Sequence, residues 1–160
     1  MRRRLLLGAA LTLTGCGFGF KRAPELSFKT IQLTNFAPRS PLAAELRQNL
    51  EASPTTRVVE SASEAQVVLQ ALSESREKVV VAQTTANQIR EFELRLRFAF
   101  RLLDPTGKVL IPDSEILLTR SLTYTETAAL GKEQEEAYLY KTMLTDIVSQ
   151  VLRRLASVHV

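Results

Sequence analysis

The strict alternation of apolar and polar side chains between residues 89 and 103 constrains the fold more than any other feature of this chain. The even positions carry the apolar side chains Phe92, Leu94, Leu96, Phe98, Phe100 and Leu102. The odd positions carry the charged side chains Glu91, Glu93, Arg95, Arg97 and Arg101, with Ala99 among them. Because successive side chains of a strand point to opposite faces of a sheet, this pattern predicts an antiparallel strand with one buried face.

A turn and a second strand are expected after this segment. The sequence Asp104-Pro105-Thr106-Gly107 places proline and glycine where β-turns use them. Residues 108–126 are predicted to form the partner strand. One face of this strand carries Ile116, Leu118, Leu122 and Tyr124. Proline cannot donate a hydrogen bond to the ladder, so we expect a bulge or a frayed segment at Pro112-Asp113.

The chain before the long strand is predicted to contain a helix, two strands of the main sheet and a short additional strand. Residues 27–34 alternate imperfectly and favour a first strand. Ser40 is a good N-cap, and Pro41 fits the first helical position. The apolar side chains of this helix recur every four residues, at Leu42, Leu46 and Leu50. A short strand, a longer strand and a polar connection are expected at residues 57–60, 65–82 and 83–88, respectively.

The hydrophobic period becomes helical from Lys132 onward. The apolar side chains of this last helix are Tyr140, Leu144, Ile147, Val148, Val151 and Leu155. Acidic residues in the expected first turn and basic residues in the last suit the helix dipole. These residues are Glu133, Glu135 and Glu136 at the start, and Arg153 and Arg154 at the end. The order of elements predicts an α+β fold, in which two helices pack on one face of a mainly antiparallel four-stranded sheet.

The N-terminal segment is typical of an export signal. Three arginines at positions 2–4 precede an apolar run over residues 5–13, which is too short to span a bilayer as a helix. The junction Leu13-Thr14-Gly15-Cys16 resembles the bacterial lipobox and holds the chain's only cysteine. That resemblance implies that the Cys16 thiol is joined to diacylglycerol, that the chain is cut before it, and that the new amino terminus is acylated. The alternative is an ordinary signal peptide that contains a cysteine.

This interpretation predicts the domain organisation and the location. Residues 1–15 are expected to form the lipoprotein signal, residues 16–26 a lipidated tether, residues 27–157 a single α+β domain, and residues 158–160 a C-terminal tail. The acyl chains anchor the protein to a membrane, since each buried methylene contributes about 0.8 kcal/mol. Gly17 follows the cysteine in place of aspartate, which by resemblance to bacterial sorting rules favours the outer membrane, on its periplasmic side.

The composition gives little support to catalysis or to nucleic-acid binding. Three of the 21 lysines and arginines lie in the signal, so 18 remain against 17 acidic residues, a net charge of +1. The only histidine, His159, is next to last, and a nucleophilic triad therefore has no credible base. A lipidated Cys16 cannot ligate a metal, and no glycine-rich phosphate loop is present. We therefore expect no catalytic residue, no metal site, no cofactor and no nucleic-acid partner.

Two basic residues are candidates for contact with an anionic partner. Arg90 lies near the start of the long strand, and Lys132 lies near the start of the last helix. Arginine binds phosphate bidentately, whereas lysine acts as a point charge. The alternative for either residue is a solvated surface with salt bridges, such as the ladder expected among the charged side chains of residues 91–101.

The layout of the mature chain resembles the LPS-assembly lipoprotein family, LptE. The stretches that carry the resemblance are Leu13-Thr14-Gly15-Cys16-Gly17-Phe18 with Lys21 and Arg22 soon after, Arg90-Glu91-Phe92, residues 120–124, Ala129-Leu130-Gly131-Lys132-Glu133 and Leu152-Arg153-Arg154-Leu155. The resemblance implies a non-enzymatic plug inside the lumen of the outer-membrane barrel LptD. It also implies that the protein helps the barrel to assemble and binds lipopolysaccharide in transit to the cell surface.

The same resemblance implies where lipopolysaccharide binds. Family members carry basic residues at two loop positions that meet this ligand, and one of these corresponds to Lys132. The other lies in the loop before the long strand, where this sequence has Thr85. Arg90 is the nearest basic residue, so it is the second candidate for contact with lipopolysaccharide.

Two other functions fit parts of the sequence. An auxiliary lipoprotein of another envelope lipid-transport system would share the lipobox and the α+β domain, but it predicts periplasmic or inner-membrane partners instead of a barrel. A small periplasmic hydrolase is disfavoured, because the sequence lacks a catalytic base.

Overall fold

The computed structural model describes residues 25–124 and 129–159. Its elements follow one another as β1 (Thr30–Thr34), α1 (Pro41–Glu51), β2 (Arg57–Val59), β3 (Val67–Gln83), β4 (Ile89–Leu103), β5 (Val109–Thr123) and α2 (Ala129–Ala156). The predicted α+β class and the two helices are confirmed. The signal segment, Cys16 and most of the tether lie outside the described residues.

The sheet differs from the prediction, because it has five strands and is mixed. The strand order is β2-β1-β3-β4-β5. β1 pairs in parallel with both β2 and β3, whereas β3, β4 and β5 pair antiparallel. The parallel pairs arise because α1 carries the chain back along the sheet, so that β2 begins beside the start of β1 and runs in the same direction. The prediction of four mainly antiparallel strands holds only for the β3-β4-β5 part.

The core lies between one face of the sheet and the two helices, which belong to a single cluster of buried side chains. On β4 the buried residues alternate as the sequence predicts, at Leu94, Leu96, Phe98, Phe100 and Leu102. The opposite face of β4 carries a partly exposed ladder of ion pairs. In it, Arg95 contacts Glu93 at 2.7 Å and Arg97 contacts Glu115 at 2.8 Å. The expected surface ladder is therefore confirmed, and we call this side of the sheet the charged face.

The start of α1 is fixed by the predicted cap. The Ser40 hydroxyl accepts a hydrogen bond from the Ala43 amide at 3.1 Å, and Pro41 is the first helical residue. The hydroxyl also donates to Glu74 Oε2 on β3 at 2.7 Å. The predicted stripe is fully buried, at Leu42, Leu46 and Leu50. One serine therefore joins the beginning of α1 to the middle of β3.

The irregularity expected at Pro112 is present. Phe100 pairs with Ser114 and Leu102 pairs with Ile111, so β5 holds one residue more than β4 over this interval. Pro112 lies in that interval, on a strand with only one neighbour among the described strands. A proline is tolerated there because an edge strand leaves part of its amides without a ladder partner.

The last helix begins three residues earlier than predicted. It starts at Ala129, which leaves the first turn without acidic residues. The interpretation of Glu133, Glu135 and Glu136 as a favourable first turn is therefore wrong. Two of these glutamates form ion pairs instead, since Glu135 contacts Lys132 and Glu136 contacts β3. The basic last turn, with Arg153 and Arg154, is confirmed.

Two ends of the sheet can be distinguished by what covers them. β1 pairs with β3 only over residues 67–70 of β3, and β3 then continues to Gln83 beyond the end of β1. We call the part around residues 67–71 and 98–103 the closed end. We call the part around residues 74–83 and 89–96 the open end, which the first half of α2 covers. Among the described residues, no helix is both long and apolar enough to cross a bilayer.

Candidate functional site

The open end contains a small cavity between the sheet and the first half of α2. Its volume is about 210 Å³. The side chains that line it combine two lysines, two glutamates, two aromatic rings and one isoleucine: Lys78, Lys132, Glu133, Glu136, Phe92, Tyr124 and Ile89. This cavity is the candidate functional site, because it contains one of the two predicted anion contacts in a setting that is both charged and apolar.

Aromatic rings form one wall of the cavity. The rings of Phe92 and Tyr124 pack edge to face, with centroids 5.5 Å apart and an interplanar angle of 82°. The Tyr124 amide donates to the Arg90 carbonyl at 2.8 Å, which holds the end of β5 against the start of β4. The backbone of both strands therefore positions this wall.

The two lysines approach the cavity from different elements. Lys132 lies in α2, its side chain is 21 % exposed, and its Nζ contacts Glu135 Oε2 at 2.7 Å. Lys78 lies in β3, with its Nζ 4.2 Å from the centroid of the Phe92 ring and 2.6 Å from Glu136 Oε2. The helix and the sheet thus each contribute one ammonium group to the same cavity.

The structure separates the two predicted basic residues. Lys132 lines the cavity, whereas Arg90 has an exposed side chain that is not among the lining residues. Arg90 lies at a β-bulge, since Glu91 pairs with Ala82 and Ile89 pairs with Gln83. The extra residue changes which side chain faces α2, and Ile89 lines the cavity in its place.

The loop that carries Thr85 is a tight hairpin. The Thr84 amide donates to the Gln88 carbonyl at 2.9 Å, and the Asn87 amide donates to the Thr84 carbonyl at 3.0 Å. Asn87 adopts a positive φ of 59°, in the left-handed region that asparagine tolerates. Thr85 is exposed at the tip of this hairpin, outside the cavity lining.

Sequence analysis missed Lys78 because a bulge reverses the facing of β3. Val67, Leu69 and Ala71 are buried, so continued alternation would direct Lys78 to the charged face. The pairing shifts between Ala71 and Ser73, after which the even positions face α2 and Lys78 pairs with Leu94. The only local sign is that the apolar alternation stops at residue 72, which does not by itself reveal a bulge.

A larger cavity lies beside the first, between the start of α1, the middle of β3 and α2. Its volume is about 630 Å³. Its floor includes Leu96 and Tyr140, and its rim includes Arg39, Arg76 and Lys141. Arg76 separates the two cavities, because its guanidinium lies 3.6 Å from the centroid of the Tyr140 ring and 3.5 Å from Glu136.

The cavity offers ammonium groups, carboxylates and aromatic rings for contact with a ligand. The described residues include no group of three histidine, cysteine or acidic side chains that would hold a metal ion. Ammonium groups beside aromatic rings suit an amphiphile with an anionic head, since the cations pair with the charge and the rings accept the apolar part.

A family model for lipopolysaccharide assembly, LptE, matches residues 28–155. The chain belongs to the LptE family. The match begins at the buried Phe28 and ends at the buried Leu155, so it spans the whole described core. Membership identifies the chain as one of a family of lipoproteins involved in lipopolysaccharide assembly.

Curated relatives agree with the family model over almost the full chain. The LPS-assembly lipoprotein LptE of Photorhabdus laumondii is 30% identical over 165 residues, which cover 99% of this chain and 89% of the relative. The LPS-assembly lipoprotein LptE of Yersinia pestis is 28% identical and covers 99% of this chain and 79% of the relative.

Solved structures share the fold. The solution structure of lipoprotein B from Nitrosomonas europaea is 33% identical, with a TM-score of 0.76 over 88% of this chain and 91% of that one. The crystal structure of rare lipoprotein B from Shewanella oneidensis is 21% identical, with a TM-score of 0.68 over 81% of this chain and 95% of that one. The second likeness bears on the fold alone.

Proposed function

We propose that this chain is an outer-membrane lipoprotein that plugs the LptD barrel, helps the barrel to assemble and binds lipopolysaccharide during its transport to the cell surface. In this proposal the lipid on Cys16 anchors the chain on the periplasmic side of the outer membrane. Membership of a lipopolysaccharide-assembly family supports the process, and the two faces of the sheet support the two contacts.

One observation carries the lipopolysaccharide contact, namely the position of Lys132 in a cavity walled by Phe92 and Tyr124. Lipopolysaccharide joins phosphate groups to acyl chains. An ammonium group pairs with phosphate, and the neighbouring rings offer apolar contact to the part that follows. Arg90 lies at the start of β4 with an exposed side chain, close enough along the chain to give a second, outer contact to the same ligand.

The charged face supports the contact with a barrel. Arg95, Arg97 and Arg101 alternate along β4, and each contacts a carboxylate or an amide oxygen on its own or a neighbouring strand. The lumen of a large outer-membrane barrel is polar, so a flat face of paired charges suits its wall better than an apolar face would. Binding by such a surface requires no chemical turnover, and we propose no enzymatic activity.

Co-purification tests the plug. When the chain is expressed with the organism's own LptD and the barrel is extracted in detergent, we expect the two to elute as a one-to-one complex. An Arg95→Glu and Arg97→Glu double variant should reduce recovery of the complex without unfolding the domain, since both side chains are partly exposed. Elution of the wild-type chain alone, beside a folded barrel, would refute the plug.

Charge reversal tests the lipopolysaccharide contact. Lys132→Glu should weaken binding of purified lipopolysaccharide about tenfold or more, because it replaces an attractive ammonium with a repelling carboxylate. Lys141→Glu is the matched control, since Lys141 lies on the same helix and is exposed outside this cavity. Equal affinities for the wild type and Lys132→Glu would remove Lys132 from the site. Arg90→Glu measured in parallel decides whether Arg90 belongs to the site.

Mass spectrometry tests the anchor. The mature chain extracted from membranes should begin at Cys16 and carry the mass of its acyl chains, and Cys16→Ala should release the chain from the outer-membrane fraction. A bare thiol on the wild-type mature chain would contradict the anchor.

A further inference from the structure

One carboxylate of α2 holds two cations of β3. Glu136 contacts Lys78 Nζ at 2.6 Å through one oxygen and Arg76 at 3.5 Å through the other. The Glu136 side chain is 19 % exposed, which makes it the least exposed acidic partner among the ion pairs of the described residues. This three-residue group lies on the border between the two cavities.

The beginning of α2 depends on this group for its attachment to the sheet. Among the described side chains of α2, none before Tyr140 is buried, whereas the buried residues recur from Tyr140 to Leu155. The Tyr140 hydroxyl donates to the Glu77 carbonyl, which fixes the helix to β3 one turn after Glu136. Residues 131–138 thus contact β3 through the ion pairs of Glu136, whereas the helix from Leu139 onward packs apolar side chains against the core.

Lys78 is placed to meet a ligand of the small cavity. Its ammonium lies 4.2 Å from the centroid of the Phe92 ring, and both groups line the cavity together with Lys132. We infer that Lys78 is a second anion-binding residue of this cavity, and that Glu136 occupies its ammonium until a phosphate group of the ligand displaces the carboxylate. This inference rests on the proposed function and adds a residue and a conformational response to it.

The arrangement makes the exchange feasible. Glu136 keeps Arg76 as a partner when it gives up Lys78, so the displaced carboxylate is not left without a cation. A phosphate group offers several acceptor oxygens and pairs with Lys78 and Lys132 together, which one carboxylate does not do here. The same phosphate group then joins β3 to α2 through the two lysines, in place of the ion pair between Glu136 and Lys78.

Affinity measurements on the full mature chain test this exchange with two probes, inorganic phosphate and purified lipopolysaccharide. Lys78→Gln should weaken binding of both probes about three- to tenfold, as Lys132→Gln should, and Lys78→Arg should restore most of the affinity. Lys141→Gln is the matched control for loss of one positive charge from the surface and should leave both affinities unchanged.

A pair of glutamate variants tests the displacement. Glu136→Gln should strengthen binding about two- to fivefold, because it removes the carboxylate that competes for Lys78. Glu133→Gln removes the same charge from the same cavity, but Glu133 forms no ion pair within the described residues, so its effect should be smaller. Amide hydrogen exchange over residues 130–139 should be faster in Glu136→Gln than in the wild type, because the variant loses both ion pairs to β3.

The outcomes separate this inference from the proposed function. Unchanged affinity for both probes in Lys78→Gln, or equal effects of the two glutamate variants, would each overturn it. A different outcome is that the variants change the affinity for inorganic phosphate as expected while the wild type does not bind lipopolysaccharide. In that case the proposed ligand is wrong and the two-lysine site stands. Failure to bind either probe overturns both.

Discussion

The two ends of the sheet are built from the same three long strands, yet they are held together by different forces. At the closed end, β4 buries Phe98, Phe100 and Leu102 fully in the core cluster to which both helices contribute. At the open end, Phe92 is only partly buried, and β3 presents Arg76 and Lys78 to the helix where apolar residues would otherwise lie. The closed end resembles an ordinary core, and the open end resembles a solvated interface.

This difference follows from how far the covering elements reach. β1 stops pairing with β3 at Gln70, and α1 begins near Glu74, so only α2 accompanies the strands beyond that level. With one helix in place of two, the open end cannot exclude water completely, and charged side chains there keep part of their hydration. The closed end can therefore supply stability while the open end stays available for binding.

The largest expected effect comes from truncating matched aromatics at the two ends. Phe98 is fully buried, with ring centroids 5.8 Å from Phe36 and 5.4 Å from Phe100, so Phe98→Ala should lower the free energy of unfolding by about 3–5 kcal/mol. Phe92→Ala should lower it by about 1–2 kcal/mol, because part of that ring is already in water. Chemical denaturation measures both values. Equal losses would mean that the two ends do not differ in burial.

A smaller effect is expected at the border of the two ends, where Ser40 caps α1. Ser40→Ala should lower the free energy of unfolding by about 1 kcal/mol, because the Ala43 amide loses its acceptor. Ser63→Ala, at an exposed position, is the control and should change little. Thermal unfolding of both variants measures the contribution of the Ser40 hydroxyl, which includes its hydrogen bond to Glu74. A loss no greater than that of the control would show that the cap is not needed.

The charged face should respond least. Arg97 is 38 % exposed and contacts Glu115, which is 48 % exposed, so Arg97→Gln should change the free energy of unfolding by less than about 0.5 kcal/mol. Glu136→Gln is the informative partner at the open end, since it breaks two ion pairs under a helix and should have the larger effect. Denaturant titrations at low and high salt compare the two. A larger loss of unfolding free energy in Arg97→Gln would mean that the charged face contributes more to stability than the ion pairs of Glu136.

The hairpins at the two ends are expected to differ in how their contribution to stability depends on pH. At the closed end, hydrogen bonds from the Thr106 hydroxyl and from the Lys108 and Thr106 amides lower the pKa of Asp104. A carboxyl whose pKa is lower in the folded state stabilises fully above its unfolded pKa of about 3.9, and that contribution is lost as pH falls through the folded pKa. In the hairpin at the open end, the neutral Thr84 hydroxyl accepts a hydrogen bond from the Gln88 amide, so this contact does not depend on pH.

We therefore expect Asp104→Asn to reduce the loss of stability as the pH falls below about 4, while Thr84→Ala leaves the slope unchanged. Thermal unfolding across this range measures both slopes. An identical acid slope in Asp104→Asn and the wild type would show that this carboxyl does not contribute.

The sequence by itself determined the features that depend on near neighbours along the chain. The alternation of β4, the Ser40 cap, the irregularity at Pro112 and the apolar stripe of α1 were all predicted, because a strand or helix repeats its facing every few residues. Lys132 was singled out as a basic residue near the start of the last helix and through the family resemblance, and its role stays a proposal. The family resemblance is shown by the family model.

Only the tertiary structure decided which strands pair, how far each is covered, and where a bulge reverses the facing of side chains. The bulge beside Leu72 turns Lys78 towards α2, and the earlier start of α2 brings Glu136 to it across 58 residues of sequence. Neither position follows from local periodicity, because the register between strands is set by contacts between residues far apart in the chain. The candidate site is made of such contacts, so the sequence supplied one of its lysines and the fold supplied the other.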